Sequence, residues 1–135
     1  MNKKIVEFIK ECCVFYLATT DGDNAKVRPF GFIDEIDGKL YFCTSVKKDV
    51  YKQLEKNPNF EIAASSKDCQ EWIRIKGKAV LDSQNIAVKT KIIESSPVIK
   101  SIYKDANNKD FGIFYAKDVE AFLCFLSGKT PEPII

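Results

Sequence analysis

The spacing of β-rich segments constrains the fold of this chain more than any other feature of its sequence. Runs rich in β-branched and aromatic residues recur along the chain, and residues that suit turns separate them. Two of these turns, at 21–24 and at Asp37-Gly38, are short enough to form hairpins. We therefore expect a meander of antiparallel strands. The predicted strands are 14–20, 26–35, 39–44, 60–65, 72–81, 111–116 and 120–126, and the link 116–119 is ambiguous.

Helices interrupt these strands singly and do not alternate with them as β-α-β units, which favours antiparallel pairing. A barrel is the closed form that removes exposed strand edges. Because 135 residues suit one core, we predict a single mainly β domain over 1–135, an antiparallel barrel of six or seven strands with peripheral helices. The tail at 130–133 is expected to be irregular. Apolar residues at helical spacing predict the helices at 3–12, 47–56, 85–94 and 97–103.

The balance of charges argues against several classes of partner. With 21 basic and 19 acidic residues the net charge is +2, so the chain lacks the broad positive field used to bind nucleic acid. Charged residues interrupt the apolar stretch at 1–17, which predicts neither a signal peptide nor a membrane span. We expect a cytoplasmic protein that binds neither nucleic acid nor membranes.

The chain has five cysteines and no histidine. The cysteines form no Cys-x-x-Cys pair, and no histidine completes a zinc set, so we predict no metal site and a reducing compartment. The lack of histidine also removes Ser-His and Cys-His nucleophiles. Chemistry must then come from a cofactor or from carboxylate, Lys, Tyr or Cys side chains, and the sequence names no catalytic residue.

Residues able to bind a phosphate group lie around the second predicted hairpin. A strand that leads into a helix N-terminus offers backbone N–H groups and a favourable dipole to an anion. We expect the Asp37-Gly38 turn to make the two strands concerned neighbours, so that their side chains converge. Taken singly, each residue also has an ordinary role on a solvated surface or as an N-cap. The residues are Arg28 in the first strand, Thr44 and Ser45 at the end of the next, and Lys47 and Lys48 at the start of the following helix.

A second group opens the strand predicted at 72–81. Alternation along a strand puts Trp72, Arg74 and Lys76 on one face, and Ile73 and Ile75 on the other. A lone tryptophan in this position serves in packing, at an interface or as a platform for a stacked ring. The sequence leaves these alternatives open.

In their order and spacing, these motifs resemble the FMN-binding split-barrel family related to pyridoxamine 5'-phosphate oxidase. The resemblance covers about residues 13–82. The matching segments are FYLATTDG at 15–22, VRPF at 27–30, GKLYFCTS at 38–45, Lys48 with Leu54 and Asn57-Pro58, and WIRIKGKA at 72–79.

The resemblance implies a split barrel that forms a homodimer and binds two FMN molecules at the subunit interface. By this resemblance, Arg28 and Lys48 pair with the FMN phosphate, with Lys47 as an alternative to Lys48. On the same basis, Thr44 and Ser45 donate hydrogen bonds to this phosphate. By the same similarity, Pro29, Phe30 and Gly31 run beside the isoalloxazine ring, and Trp72 and Arg74 match the strand that contacts the flavin from the second chain.

The implied function is that of an FMN-dependent oxidoreductase with an unassigned small-molecule substrate and NAD(P)H as a candidate electron donor. The chain lacks the C-terminal substrate-binding residues of family members that oxidise pyridoxamine phosphate. It therefore resembles more closely the short branch that includes 5-nitroimidazole reductase-like proteins. Two alternatives remain, a flavin-binding or flavin-storage module without turnover and a related barrel that uses a deazaflavin or haem.

Overall fold

The computed structural model describes residues 2–134, whose elements follow the predicted order. Every strand pair is antiparallel, so the prediction of a mainly β, antiparallel fold is confirmed. None of the helices in this part of the chain is long and apolar enough to cross a membrane. The helices are α1 (Asn2–Cys12), α2 (Asp49–Lys56), α3 (Ile86–Ser95) and α4 (Pro97–Tyr103). The strands are β1 (Phe15–Asp21), β2 (Asn24–Phe30), β3 (Ile33–Ile36), β4 (Lys39–Ser45), β5 (Asn59–Ser65), β6 (Glu71–Leu81), β7 (Phe111–Phe125) and β8 (Glu132–Pro133).

The order of strands in the sheet explains why it closes into a barrel. The order is β2-β1-β5-β6-β7-β4-β3, with β8 beside β7, so β2 and β3 stand at opposite ends. Only Gly31 and Phe32 separate these two strands in the chain, and such a link spans at most about 11 Å. The sheet must therefore curl until its ends approach each other. Phe30 and Ile33 on either side of the link are buried in the same core.

Three predictions about the strands are corrected. The segment 26–35 is not one strand, because β2 pairs with β1 whereas β3 pairs with β4. The strands of Arg28 and Thr44 are consequently not neighbours in the sheet. The tail expected to be irregular at 130–133 contributes the short strand β8.

The ambiguous link at 116–119 lies within one long strand, β7, rather than between two. The register of β7 against β6 shifts between Lys76 and Lys78, and Asp118 in β7 has a φ of 54°. Such a bulge bends a strand without ending it, so β7 pairs with β6 on both sides of the bend and with β4 before it. Opposite this bend, a Cβ added to Gly77 would lie 3.1 Å from the Phe60 ring. A side chain there would press on the core.

Two apolar cores hold the fold together. The first fills the barrel with aromatic rings, and Phe42 and Phe114 stack at its centre with centroids 5.1 Å apart. The second lies between α3, α4 and the outer surfaces of β4 and β7, where Tyr103 stacks on Phe111 at 4.7 Å. Strand β4 is buried on both faces because its alternate residues belong to different cores. This arrangement places α4 beside the end of β4.

Candidate functional site

A cavity of about 470 Å³ lies where the β2–β3 link, the end of β4, the start of α2 and α4 meet. Its size falls within the usual range for small-molecule sites. Part of its wall is polar and cationic, formed by Arg28, Thr44 and Lys48. Another part is apolar and comes from α4, where Val98 and Ile102 are more than half exposed. The cavity therefore suits a ligand with one anionic group and one apolar region.

Six of the ten predicted site residues line this cavity, and the other four do not. Arg28 and Thr44 converge as predicted, although through the curl of the sheet rather than through adjacent strands. Trp72 and Arg74 line a different cleft on the outer surface of the barrel. Ser45 and Lys47 are adjacent in sequence to lining residues without lining the cavity themselves. The six residues that line it are Arg28, Pro29, Phe30, Gly31, Thr44 and Lys48.

The two neighbouring lysines have different surroundings. Lys47 makes an ion pair with Asp110 at 3.3 Å, whereas Lys48 lines the cavity. Ser45 is engaged locally, since its Oγ accepts the backbone N–H of Lys47 at 3.2 Å. The geometry favours Lys48 over Lys47 as the cation available to a ligand.

The N-terminus of α2 adjoins the same cavity. The helix begins at Asp49, two residues later than predicted, and Lys48 is its N-cap residue. No side chain in the described part of the chain caps this end of the helix, and Val50 in its first turn lines the cavity. An uncapped helix N-terminus carries partial positive charge and free N–H groups, which stabilise a nearby anion.

Neutral oxygen atoms hold the Arg28 guanidinium in place. It donates to Thr19 Oγ1 at 2.6 Å, to Gln53 Oε1 at 2.7 Å and, more weakly, to the Leu17 carbonyl oxygen at 3.4 Å. Thr19 in turn donates to Gln53 Oε1 at 2.6 Å, which closes a triangle of hydrogen bonds. Thr19 and Gln53 are 3% and 8% exposed. The guanidinium is thus fixed before any ligand arrives.

The charge of Arg28 is not neutralised by an ion pair. Within residues 2–134 no carboxylate oxygen lies within 4.0 Å of its nitrogens. Partial burial lowers the pKa of Arg28, and the charge of Asp49 acts in the opposite direction without pairing with it. Buried charges in proteins are normally paired. A cation held by neutral groups beside a cavity is therefore available to an anionic ligand.

Sequence reasoning missed Thr19, Gln53 and Tyr103. A signal for the first two was present, because Thr19 continues the inward alternation of Phe15 and Leu17, and Gln53 interrupts the buried side of α2. Tyr103 looked like an ordinary apolar helix residue, and only the packing of α4 places it in the cavity wall. Burial raises the pKa of Tyr103 and, more strongly, that of Cys43 in the same wall. Both side chains are therefore neutral at physiological pH.

The outer surface of the barrel carries a second group of predicted residues. Ile73 and Ile75 are fully buried while Arg74 faces outward, which confirms the predicted alternation. Arg74 is paired with Glu61 at 3.1 Å. Around it the strand register places apolar residues in adjacent positions, several of them exposed. This outer face comprises Tyr16, Ala18, Val27, Ala63, Trp72 and Phe122.

Comparison with known proteins establishes the family. Residues 1–114 match the family described as pyridoxamine 5'-phosphate oxidase like. The chain belongs to this family. A NimC/NimA family protein from Clostridium acetobutylicum is 36% identical to this family member, with a TM-score of 0.88 over 98% of this chain and 92% of the other. No curated protein sequence matches the chain significantly.

More distant structures share the fold of this family member. General Stress Protein 26 from Bacillus anthracis is 17% identical, with a TM-score of 0.73 over 90% of this chain and 92% of the other. A pyridoxamine 5'-phosphate oxidase-related, FMN binding protein from Nostoc punctiforme is 16% identical, with a TM-score of 0.73 over 97% of this chain and 86% of the other. At these identities the likeness concerns the fold alone, and it confirms the predicted split barrel.

Proposed function

We propose that the protein is an FMN-dependent oxidoreductase that binds the flavin at a homodimer interface and acts on a small molecule. The observation that carries this proposal is Arg28, a fixed cation without an ion-pair partner that lines a cavity together with Lys48 and Thr44. The family supports the identity of the ligand, since one structural relative is described as an FMN binding protein.

The residues of the cavity fit the two chemically different parts of FMN. A phosphate with nearly two negative charges matches an arginine and a lysine, with the Thr44 hydroxyl and the start of α2 as further donors. Pro29, Phe30 and Gly31 form the adjoining wall and would hold the ring system. When bound, the flavin supplies the electron-transfer chemistry. The protein then contributes binding, orientation and the exclusion of water.

The absorption spectrum of protein purified without added cofactor tests this proposal. We expect the two visible bands of an oxidised flavin, and FMN as the mass of the released compound. A deazaflavin or haem spectrum would assign the cavity to one of those cofactors instead. A colourless protein that takes up no FMN on titration would contradict flavin binding altogether.

The homodimer is supported by the outer face. Tyr16 and Val27 are 49% and 67% exposed, and a partly apolar sheet surface of this kind is typical of an interaction site. We place the second subunit on this face, where Trp72 and Arg74 would approach the flavin of the partner.

Light scattering at micromolar concentration tests the dimer. The unmodified protein is expected to elute as a dimer, and Val27→Asp to shift it toward monomer because a buried unpaired carboxylate is costly. The control Lys4→Asp changes an exposed residue of α1 and is expected to stay dimeric. A monomer with FMN bound would contradict this assembly.

One observation favours a second function, a flavin-binding or flavin-storage module without turnover. The part of the cavity wall formed by residues 2–134 contains no carboxylate and no histidine, and its thiol and phenol are held neutral by burial. Anaerobic addition of NADH or NADPH separates the two functions. Bleaching of the flavin absorbance supports the oxidoreductase, whereas a flavin that stays oxidised with both donors supports the module.

A further inference from the structure

A second cavity, of about 410 Å³, shares no lining residue with the first. It lies between the start of α3 and the loop that follows α4. Among the described residues, its wall contains two lysines, several side-chain amides and no carboxylate. The lining residues are Ser83, Gln84, Ile86, Lys89, Ala106, Asn107, Asn108 and Lys109.

Lys89 is the unusual residue of this cavity. It is only 4% exposed, yet within residues 2–134 its ammonium makes neither an ion pair nor a hydrogen bond. In the same range, no completely buried side-chain nitrogen or oxygen lacks a hydrogen-bond partner. The small exposed part of Lys89 must therefore include the ammonium, which reaches the cavity.

The surroundings of Lys89 explain its burial without neutralising its charge. The ammonium lies 5.3 Å from the centroid of the Phe111 ring, which gives a favourable cation–π contact. Burial lowers the pKa of Lys89, and within residues 2–134 no carboxylate pairs with its ammonium. The ring partly compensates for lost hydration, and the positive charge remains available to a ligand.

The other groups in the wall also favour a negative charge. Lys109 supplies a second cation, and it too makes no ion pair in the described part of the chain. Ile86 is the first residue of α3, a helix of ten residues, so the positive end of that helix adjoins the cavity; the Asn85 side chain there accepts the Val88 N–H at 3.2 Å and leaves the rest of the dipole unneutralised. The amides of Gln84 and Asn107 can donate hydrogen bonds to an oxyanion.

We propose that this cavity is a second ligand site, which binds the phosphate group of a small molecule between Lys89, Lys109 and the start of α3. A phosphate balances two lysines and has enough oxygen atoms to accept from ammonium and amide donors together. The cavity is larger than a phosphate alone, so its remainder would hold the organic part of a phosphate monoester. This site does not depend on the flavin site.

Titration with inorganic phosphate, followed by amide NMR of the full chain, tests the proposal. Signals of residues 84–89 and 106–109 report on this cavity, and those of 28–31 and 44–48 report separately on the first one. We expect saturable shifts in the former group. Sodium chloride at equal ionic strength should not reproduce them.

Two variants make the test specific. Lys89→Met keeps the apolar stem over Phe111 and removes the charge, and it is expected to weaken phosphate binding at 84–89 about tenfold or more. Lys109→Met should weaken it as well. The matched control is Lys91→Met, which removes an exposed lysine of the same helix that pairs with Asp37, and it should leave the affinity unchanged.

Two results would overturn the proposal. The first is an absence of saturable shifts at 84–89 and 106–109 in the unmodified protein. The second is an equal phosphate affinity in Lys89→Met and Lys91→Met. Either result would mean that Lys89 serves only to cover the Phe111 ring.

Discussion

The chain has two arginines, and they differ in whether a carboxylate or neutral oxygen atoms surround the guanidinium. Arg74, on the outer face of the barrel, is paired with the Glu61 carboxylate at 3.1 Å, and both side chains are about half exposed. Arg28, in the cavity wall, is held by Thr19, Gln53 and a backbone carbonyl, all of them neutral. The outer face neutralises its cation, whereas the cavity wall fixes the position of its cation and leaves the charge free.

This difference separates an exposed, paired cation from a partly buried cation that has no ion-pair partner among the described residues. An exposed ion pair contributes little to stability, because water screens it and both side chains lose freedom. A partly buried guanidinium costs free energy unless something negative approaches it. The fold offsets part of this cost at Arg28 with three hydrogen bonds to neutral oxygen atoms.

The largest effect is expected when the cavity loses both of its cations. Arg28→Ala together with Lys48→Ala should weaken FMN binding by about 3–6 kcal/mol, since each charge-assisted contact contributes about 1.5–3 kcal/mol. Quenching of flavin fluorescence on titration measures the affinity. The control Lys52→Ala removes an exposed lysine of α2 that lies outside the cavity. Unchanged FMN affinity in the double variant would show that the phosphate is bound elsewhere.

Lys47 and Lys48 allow the same comparison between a paired cation and one unpaired among the described residues, at two adjacent positions. Lys48→Met should weaken FMN binding about tenfold or more. Lys47→Met should weaken it by no more than about twofold, because its charge is already paired with Asp110. The same fluorescence titration compares the two variants. A larger effect at Lys47 would reverse the assignment that the cavity geometry favours.

The hydrogen bonds that hold the Arg28 guanidinium are expected to contribute to the free energy of unfolding. Gln53→Leu removes the acceptor shared by Arg28 and Thr19 and should lower the free energy of unfolding by about 1–3 kcal/mol. Urea denaturation of the flavin-free protein measures this change. The control Gln70→Leu alters an exposed loop residue and should stay within about 0.5 kcal/mol of the unmodified chain. Equal stability of the two variants would mean that the guanidinium is not held by this network.

The smallest effect is expected on the outer face. Arg74→Ala, made in the Val27→Asp variant that is expected to be monomeric, should change the free energy of unfolding of the flavin-free protein by less than about 1 kcal/mol, because the ion pair with Glu61 is exposed in the single chain. Urea denaturation is again the measurement, with Glu61→Ala as the matched variant from the other side of the pair. A loss above about 2 kcal/mol in this monomeric background would mean that the Arg74–Glu61 pair contributes far more than an exposed ion pair does. The contrast with Arg28 would then disappear.

Much of the fold could be predicted because local signals were strong. The two-residue turn at Asp37-Gly38 forms as expected, and both residues have the positive φ that such hairpins require. The prediction of a single strand at 26–35 was wrong because strand propensity does not indicate which strand a segment pairs with. Its two halves lie at opposite ends of the sheet, and only long-range pairing separates them.

The candidate site shows the same division between local and long-range information. Residue types and their order indicated Arg28, Thr44 and Lys48 as a phosphate-binding set, and the cavity contains all three. The hydrogen bonds from Arg28 to Thr19 and Gln53 connect segments that are far apart in the chain, and so does the contact of α4 with the cavity. Sequence spacing carries no record of such contacts.

The sequence alone therefore determined the β-rich segments, the hairpin turns and the chemical character of the candidate phosphate-binding residues, because these depend on local backbone preference and side-chain chemistry. The tertiary structure decided which strands pair, how the curled sheet brings Arg28 to Thr44, and which of two adjacent lysines faces the cavity. Those outcomes depend on burying two apolar cores at once, and that requirement involves the whole chain rather than any single segment.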